Sequence, residues 1–291
     1  MTRRRFLIKT VVLVCLVVAG LYGYGRILDM NAEPTYTADR LFKPYGEDVY
    51  HLAQRIERGE HISARDVEAL PGGVNKRYGE EITFLFLALQ AHNLQAIDTL
   101  LAAGADPYIV DRPSQGSTRN FVWYLGEPGP SAGPVQGFDF MNRLIESYLK
   151  HGGKANIQML GSEGAWLIED VALIENYEGV KILLKAGADP WAADNRNSTA
   201  MDTIAHEGKP DSFELLNYLI DRGYFDHVQQ PDLQHFIGAV ALYTQRGDKT
   251  SLAYRKIGLR VLKRNPEYVA DQNTRDLFGG PIPWQEVQDA D

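Results

Sequence analysis

Apolar residues recur at helical spacing through most of this chain. Val49, Leu52, Ala53 and Ile56 fall on one face of a helix that runs into Arg58-Gly59, and Ala64 to Leu70 allows a short second helix stopped by Pro71-Gly72-Gly73. From residue 82 onward the helices come in pairs. The first pair ends in Leu100-Leu101-Ala102-Ala103-Gly104-Ala105-Asp106-Pro107, and this ending returns as Leu183-Leu184-Lys185-Ala186-Gly187-Ala188-Asp189-Pro190. In each copy an apolar helix end meets glycine, which enters the left-handed conformation beyond a helix C-terminus without a Cβ penalty. Gly59, Gly152 and Gly223 carry the same punctuation without the full motif. Glycines 104, 152, 187 and 223 are 48, 35 and 36 residues apart, so one unit is longer than the others. Its extra length is Gly126-Glu127-Pro128-Gly129-Pro130-Ser131-Ala132-Gly133-Pro134, which cannot be helical and predicts a loop inserted between two helices.

The long unit opens at Asp111 and Gly116-Ser117-Thr118, with helices near Asn120 to Leu125 and from Phe138 to His151. The next has Gly164 and Trp166 before its first helix and Glu178 to Leu184 on its second. The last regular unit opens with Asp194, places Thr199 to Ala205 on a first helix, and ends at Arg222-Gly223. Beyond Pro231, two more amphipathic helices carry Leu233, Phe236, Ile237 and Val240 on one and Tyr254, Ile257, Gly258, Val261 and Leu262 on the other. They are joined across Gly247-Asp248. A repeat array needs such an end, because its last unit must cover an open apolar face. In the tail from Asn265, Gly279-Gly280-Pro281-Ile282-Pro283-Trp284 is too rich in Pro and Gly for helix, and Trp284 is expected to strap it down.

Thr83, Leu85, Ala88, Ile97, Leu100, Leu101, Gly104, Ala105 and Asp106 stand at the spacings of an ankyrin repeat, whose period is about 33 residues. The chain resembles that family. The resemblance implies an all-α ankyrin-repeat solenoid of four to five helix-turn-helix units with short turn fingers and a helical C-terminal cap. Repeats would occupy residues 46–230 and the cap and tail 231–291. Phe84 and Phe86 depart from the family's Pro and His, so apolar packing is expected where the family has a histidine hydrogen bond. The resemblance also puts the ligand surface on the fingers, at Arg112, Ser114, Gln115 and Ser117, then Ser162 and Glu163, then Asn195, Arg196 and Ser198. Tyr108 and Trp191 follow the two Asp-Pro endings. They are expected either as aromatic anchors for a partner or as packing between neighbouring fingers. The candidate partner-binding set is therefore Tyr108, Arg112, Gln115, Ser162, Glu163, Trp191, Asn195 and Arg196.

Charge then narrows the partner. The formal net charge is −8, but Arg3, Arg4, Arg5, Lys9 and Arg26 stand among residues 1–26 with no acid, leaving −13 on residues 27–291. An acidic body does not suit phosphate neutralisation, so nucleic acid is excluded as the expected ligand, whereas a basic protein suits it. Arg255, Lys256, Arg260, Lys263 and Arg264 form a basic cluster read as a solvated helix face. Thr10 to Gly25 is uncharged between Lys9 and Arg26. Sixteen helical residues span about 24 Å, and snorkelling flanks extend that reach, so residues 1–28 are expected to anchor in a membrane. Residues 29–45, with Pro34 and Pro44, read as a tether. The arginines keep the N-terminus cytoplasmic, so the body is expected on the far side of a bacterial inner membrane, in the periplasm. Cleavage after Gly25 would instead release it there. Cys15, the single cysteine, lies inside the apolar run, and the seven histidines lack metal-ligand spacing. No nucleophile elbow or zinc-protease motif is present, so neither catalysis nor a cofactor is expected. The expected role is protein capture. Exported divergent members of the resembled family often serve as immunity or regulatory partners of secreted toxins. The alternative is a scaffold for an inner-membrane or envelope assembly.

Overall fold

In a computed structural model of the chain, residues 36–126, 138–244 and 249–290 are described. The N-terminal segment, the inserted loop beyond Gly126 and the Gly247-Asp248 joint lie outside them. The regular secondary structure of the described residues is helical apart from one antiparallel bridge between Gln158 and Trp166. They divide into two units, residues 36–106 and residues 107–126 with 138–290.

In the first unit, α1 (Ala38–Leu41) and α2 (Glu47–Glu57) pack on each other, followed by α3 (Ala64–Glu68), α4 (Phe84–Gln90) and α5 (Leu94–Ala102). Val49, Leu52, Ala53 and Ile56 are all buried, as the periodicity of α2 requires. Within the stretch read as a tether, residues 37–45 are folded. Thr37 caps α1, and Leu41 and Phe42 are buried because Phe42 stacks on Phe84 at 4.8 Å and Tyr78 at 5.0 Å. This aromatic cluster, with Phe86 against Tyr36, occupies the region where the family's histidine hydrogen bond was expected to be missing. Thr83 caps α4 by accepting from Phe86 N at 3.4 Å.

The second unit continues with α6 (Trp123–Gly126), α7 (Asp139–Lys150), α8 (Leu167–Leu173), α9 (Tyr177–Lys185), α10 (Ala200–Glu207) and α11 (Pro210–Asp221). Successive first helices α6, α8 and α10 lie side by side, as do α7 and α9, each first helix packing on its own second helix. This is the helix-pair stacking that the ankyrin resemblance implies. The turns inside the α4–α5, α8–α9 and α10–α11 pairs each use one left-handed residue, His92, Glu175 and Gly208 in turn, just before the cap of the second helix.

Buried side-chain amides join successive pairs, a device with no signature in the hydrophobic pattern. Asn176 is fully buried, accepts from Gly179 N at 3.1 Å and donates to Asn142 Oδ1 at 2.8 Å. Asn93 does the same work in the first unit, donating to Ile56 and Glu60 carbonyls. The two Gly-Ala-Asp endings are each held by one asparagine. Asn75 donates to Gly104 O at 3.1 Å and accepts from Asp106 N at 2.7 Å; Asn156 donates to Gly187 O at 3.0 Å and accepts from Asp189 N at 2.7 Å. Replacing Asn156 by Ala removes both bonds, and urea unfolding of the full-length chain is expected to show a loss of about 1–2 kcal/mol. An unchanged unfolding midpoint would show that water substitutes for the side chain.

The cap comprises α12 (Gln230–Thr244) and α13 (Lys249–Arg264), with Leu233, Phe236, Ile237, Val240, Tyr254, Ile257, Val261 and Leu262 buried as their spacing predicts. The tail is more helical than its Pro and Gly content predicts. α14 (Gln272–Phe278) and α15 (Trp284–Asp289) flank Gly279–Pro283, α14 is capped by Asp271, and Gly279 ends it in the left-handed conformation. Leu277 and Val287, both buried, fasten the tail, whereas Trp284 stays 41% exposed and is not the strap. Nor is the basic cluster of α13 simply a solvated face. Arg255 pairs with Glu286 at 2.9 Å, Arg260 with Asp221 at 2.5 Å and Arg264 with Asp226 at 3.4 Å, and Lys263 donates to Ala290 O. These cations tie α13 to α11, the following turn and the tail.

Candidate partner-binding fingers

Three fingers project between the helix pairs of the second unit, at residues 111–119, 158–166 and 194–198. Each is turned by a non-glycine residue in the left-handed region: Arg112 (φ 47°), Glu163 (φ 40°) and Asn197 (φ 59°). Such turns persist only where surrounding bonds fix them. In the first finger the fixing group is Asp111, buried, whose carboxylate accepts from Ser117 Oγ at 2.9 Å and Arg112 Nε at 3.0 Å. Its backbone N–H closes the finger on Arg119 O at 2.9 Å. In the third finger Asp194, also buried, takes the same place. It accepts from the backbone N–H of Arg196 at 2.7 Å and of Ser198 at 2.8 Å, and from Arg196 Nε at 2.8 Å. Burial works against the Asp194 anion, yet these donors outweigh it and hold its pKa below the usual carboxylate range.

The middle finger has no such aspartate. Met159 N donates to Ala165 O at 2.7 Å and Leu167 N to Ile157 O at 2.9 Å, while Ser162 Oγ donates to Met159 O. Its glycines admit the neighbours. A Cβ on Gly161 would come within 2.6 Å of Thr118 Oγ1, and one on Gly164 within 2.8 Å of the Asn195 amide. Trp166 adds a bond from its indole N–H to Ala193 O at 3.0 Å. The three fingers therefore touch in sequence and form one edge.

The expected site residues divide on that edge. Gln115, Glu163, Asn195 and Arg196 are exposed, and Arg112 and Ser162 are half-buried. Asn195 and Arg196 lie across from Glu163, with Arg196 Nε 4.0 Å from the Glu163 carboxylate. The two aromatics are engaged within the chain. Trp191 donates from Nε1 to Tyr224 O at 2.8 Å and meets Phe225 edge-on at 5.3 Å. The hydroxyl of Tyr108 lies 3.0 Å from that of buried Tyr148, which also accepts from Lys154 N at 2.9 Å. Tyr108 keeps 37% exposure. Gly152-Gly153-Lys154 is thus part of a tyrosine lock, with a Cβ on Gly153 only 2.5 Å from the Tyr148 ring.

One residue of the finger base had no sequence signal. Glu169, in the first turn of α8, is 4% exposed, and its Oε2 has no hydrogen-bond partner. Burial first, and then the nearby Asp194 anion, push its pKa up to about 7. Arg196, bonded to Asp194 through Nε, stands 3.9 Å from Glu169 Oε1. An acid in the first turn of a helix reads as an ordinary dipole partner, and only the finger folded over it makes it unusual. Among the described residues no group of three His, Cys, Asp or Glu side chains is placed to hold a metal ion.

No family model matches the chain, and no curated protein matches it either. Among solved structures it is similar to an ankyrin repeat domain from Acinetobacter baumannii AYE, at 20% sequence identity over 74% of this chain and 98% of that one, with a TM-score of 0.49.

Proposed function

We propose that this chain is a protein-binding repeat module that captures its partner on the finger edge of the second unit. The observation that carries the reading is the contact of each finger with the next, Thr118 on Gly161 and Asn195 on Gly164. A row of pre-set turns loses little conformational entropy on binding, and it presents polar and cationic tops. In the finer reading residues 1–28 anchor the chain in an inner membrane, the body faces the periplasm, and the captured protein is a secreted toxin or enzyme held inactive. That part is supported by the charge layout of the N-terminal segment and by the ankyrin resemblance.

Affinity capture from periplasmic extract, with and without the product of the neighbouring gene, tests both levels. The triple variant Gln115→Ala, Asn195→Ala, Arg196→Ala is expected to hold the captured protein about a hundredfold more weakly while unfolding cooperatively like the parent. Capture unchanged by the triple variant would remove the fingers from the interface. An inhibitor also keeps its effect when residues 1–26 are replaced by a cleavable export signal, whereas an envelope scaffold loses it.

A further inference from the structure

We propose that the notch between the 158–166 and 194–198 fingers takes a cationic side chain, arginine or lysine, from the protein partner; this rests on the finger-edge reading above. The notch is built from carboxylates on both sides and beneath. Glu163 stands on one finger, Asp194 roots the other, and Glu169 lies under them. Arg196, whose side chain is 63% exposed, is the guanidinium that faces these three acids. That guanidinium bonds Asp194 through Nε at 2.8 Å and reaches Glu169 and Glu163 only at 3.9 and 4.0 Å, beyond hydrogen-bond range.

The second observation is independent of the charge count. Glu169 is buried with its Oε2 unpartnered, and a buried acceptor with no donor costs free energy that an incoming N–H recovers. Arginine or lysine supplies both the donor and the charge. Arg196, the cation beside Glu169 and Glu163, has an exposed side chain, and the notch is approached from that side. An incoming cation takes the place of Arg196 over Glu169 and Glu163 and leaves Asp194 with its backbone donors. The charge of −13 on residues 27–291 draws a basic partner toward the same face at long range.

The test is a titration of the full-length chain in detergent micelles with tetra-arginine amide and, as the neutral isostere, tetra-citrulline amide, followed by backbone amide shifts. Tetra-arginine is expected to shift residues 161–170 and 194–198 selectively, and tetra-citrulline to shift neither. Glu169→Gln keeps the shape of the side chain and is expected to weaken tetra-arginine about tenfold, while Glu214→Gln, the same charge change at an exposed site on α11, leaves it within about twofold. Shifts spread over the acidic surface, equal weakening by the two Glu→Gln variants, or no binding each overturns the proposal. If the peptide result is negative while the triple finger variant still loses the captured protein, the notch assignment fails and the finger edge stands. Loss of both removes the finger edge itself.

Discussion

Replacing Glu169 by Gln raises the stability of the protein by about 3 kcal/mol at pH 8 and by only about 1 kcal/mol at pH 5. The sign follows from the direction of the pKa. In the unfolded chain the carboxyl titrates in the ordinary glutamate range near 4.3, and in the folded protein at about 7, because burial and Asp194 disfavour the anion. A group whose folded pKa is raised binds its proton more tightly in the native state, so its contribution is fully present below the unfolded pKa and is lost as pH rises through the folded one. The parent protein therefore loses stability between about pH 4.5 and pH 7, and the Gln variant, with nothing to ionise, does not. Asp194 acts in the opposite sense, since its depressed pKa withdraws stability only at acid pH, below this window. Urea unfolding of both proteins at pH 5 and pH 8 measures the difference. Parallel pH profiles would mean that water or Arg196 neutralises Glu169 in solution.

Trp191→Ala is expected to cost about 3 kcal/mol, a core-sized loss from a residue that is not fully buried. The indole touches two side chains that have no exposure of their own, Phe225 edge-on at 5.3 Å and Phe236 at 6.1 Å, so its removal opens a void beside both. The same change strips Tyr224 O of its indole donor. Trp191→Phe keeps part of the ring packing and loses the N–H, so about 1 kcal/mol is expected from it. Thermal unfolding of the three proteins separates packing from hydrogen bonding, and equal melting temperatures for Trp191→Ala and the parent would contradict the structural assignment. The result also governs how binding data are read. A partner lost from Trp191→Ala reports a weakened joint between the last regular unit and the cap, whereas loss from Asn195→Ala or Arg196→Ala, both on exposed finger tops, reports the interface.

The two aromatics that follow the Asp-Pro endings show where sequence reasoning stops. Their position after Gly-Ala-Asp-Pro marks them as special in either role, but whether a ring faces a partner or the next helix pair depends on residues 33 to 45 positions away, Tyr224, Phe225 and Phe236 for Trp191 and Tyr148 for Tyr108. The basic stretch on α13 is similar. In one dimension it is a run of solvated cations, and in the folded chain its partners Asp221, Asp226 and Glu286 come from three other segments. Short-range rules succeed where the determining contact is itself short-range, as in the Thr199 and Asp202 capping box or the glycine at each helix end.

The sequence by itself determined the helices of the repeated pairs and the cap, and the places where each pair ends, because periodicity, caps and left-handed glycines act within a few residues. It also located the fingers, through the turn residues between one pair and the next. Only the tertiary structure decided what those fingers stand on. Asp111 and Asp194 become buried anchors and Glu169 a carboxylate short of a donor because stacking removes them from water, whereas Asn75 and Asn156 become clasps because it brings each to an ending 29 to 33 residues away. Desolvation is a property of that stacking, and no local pattern of residues encodes it.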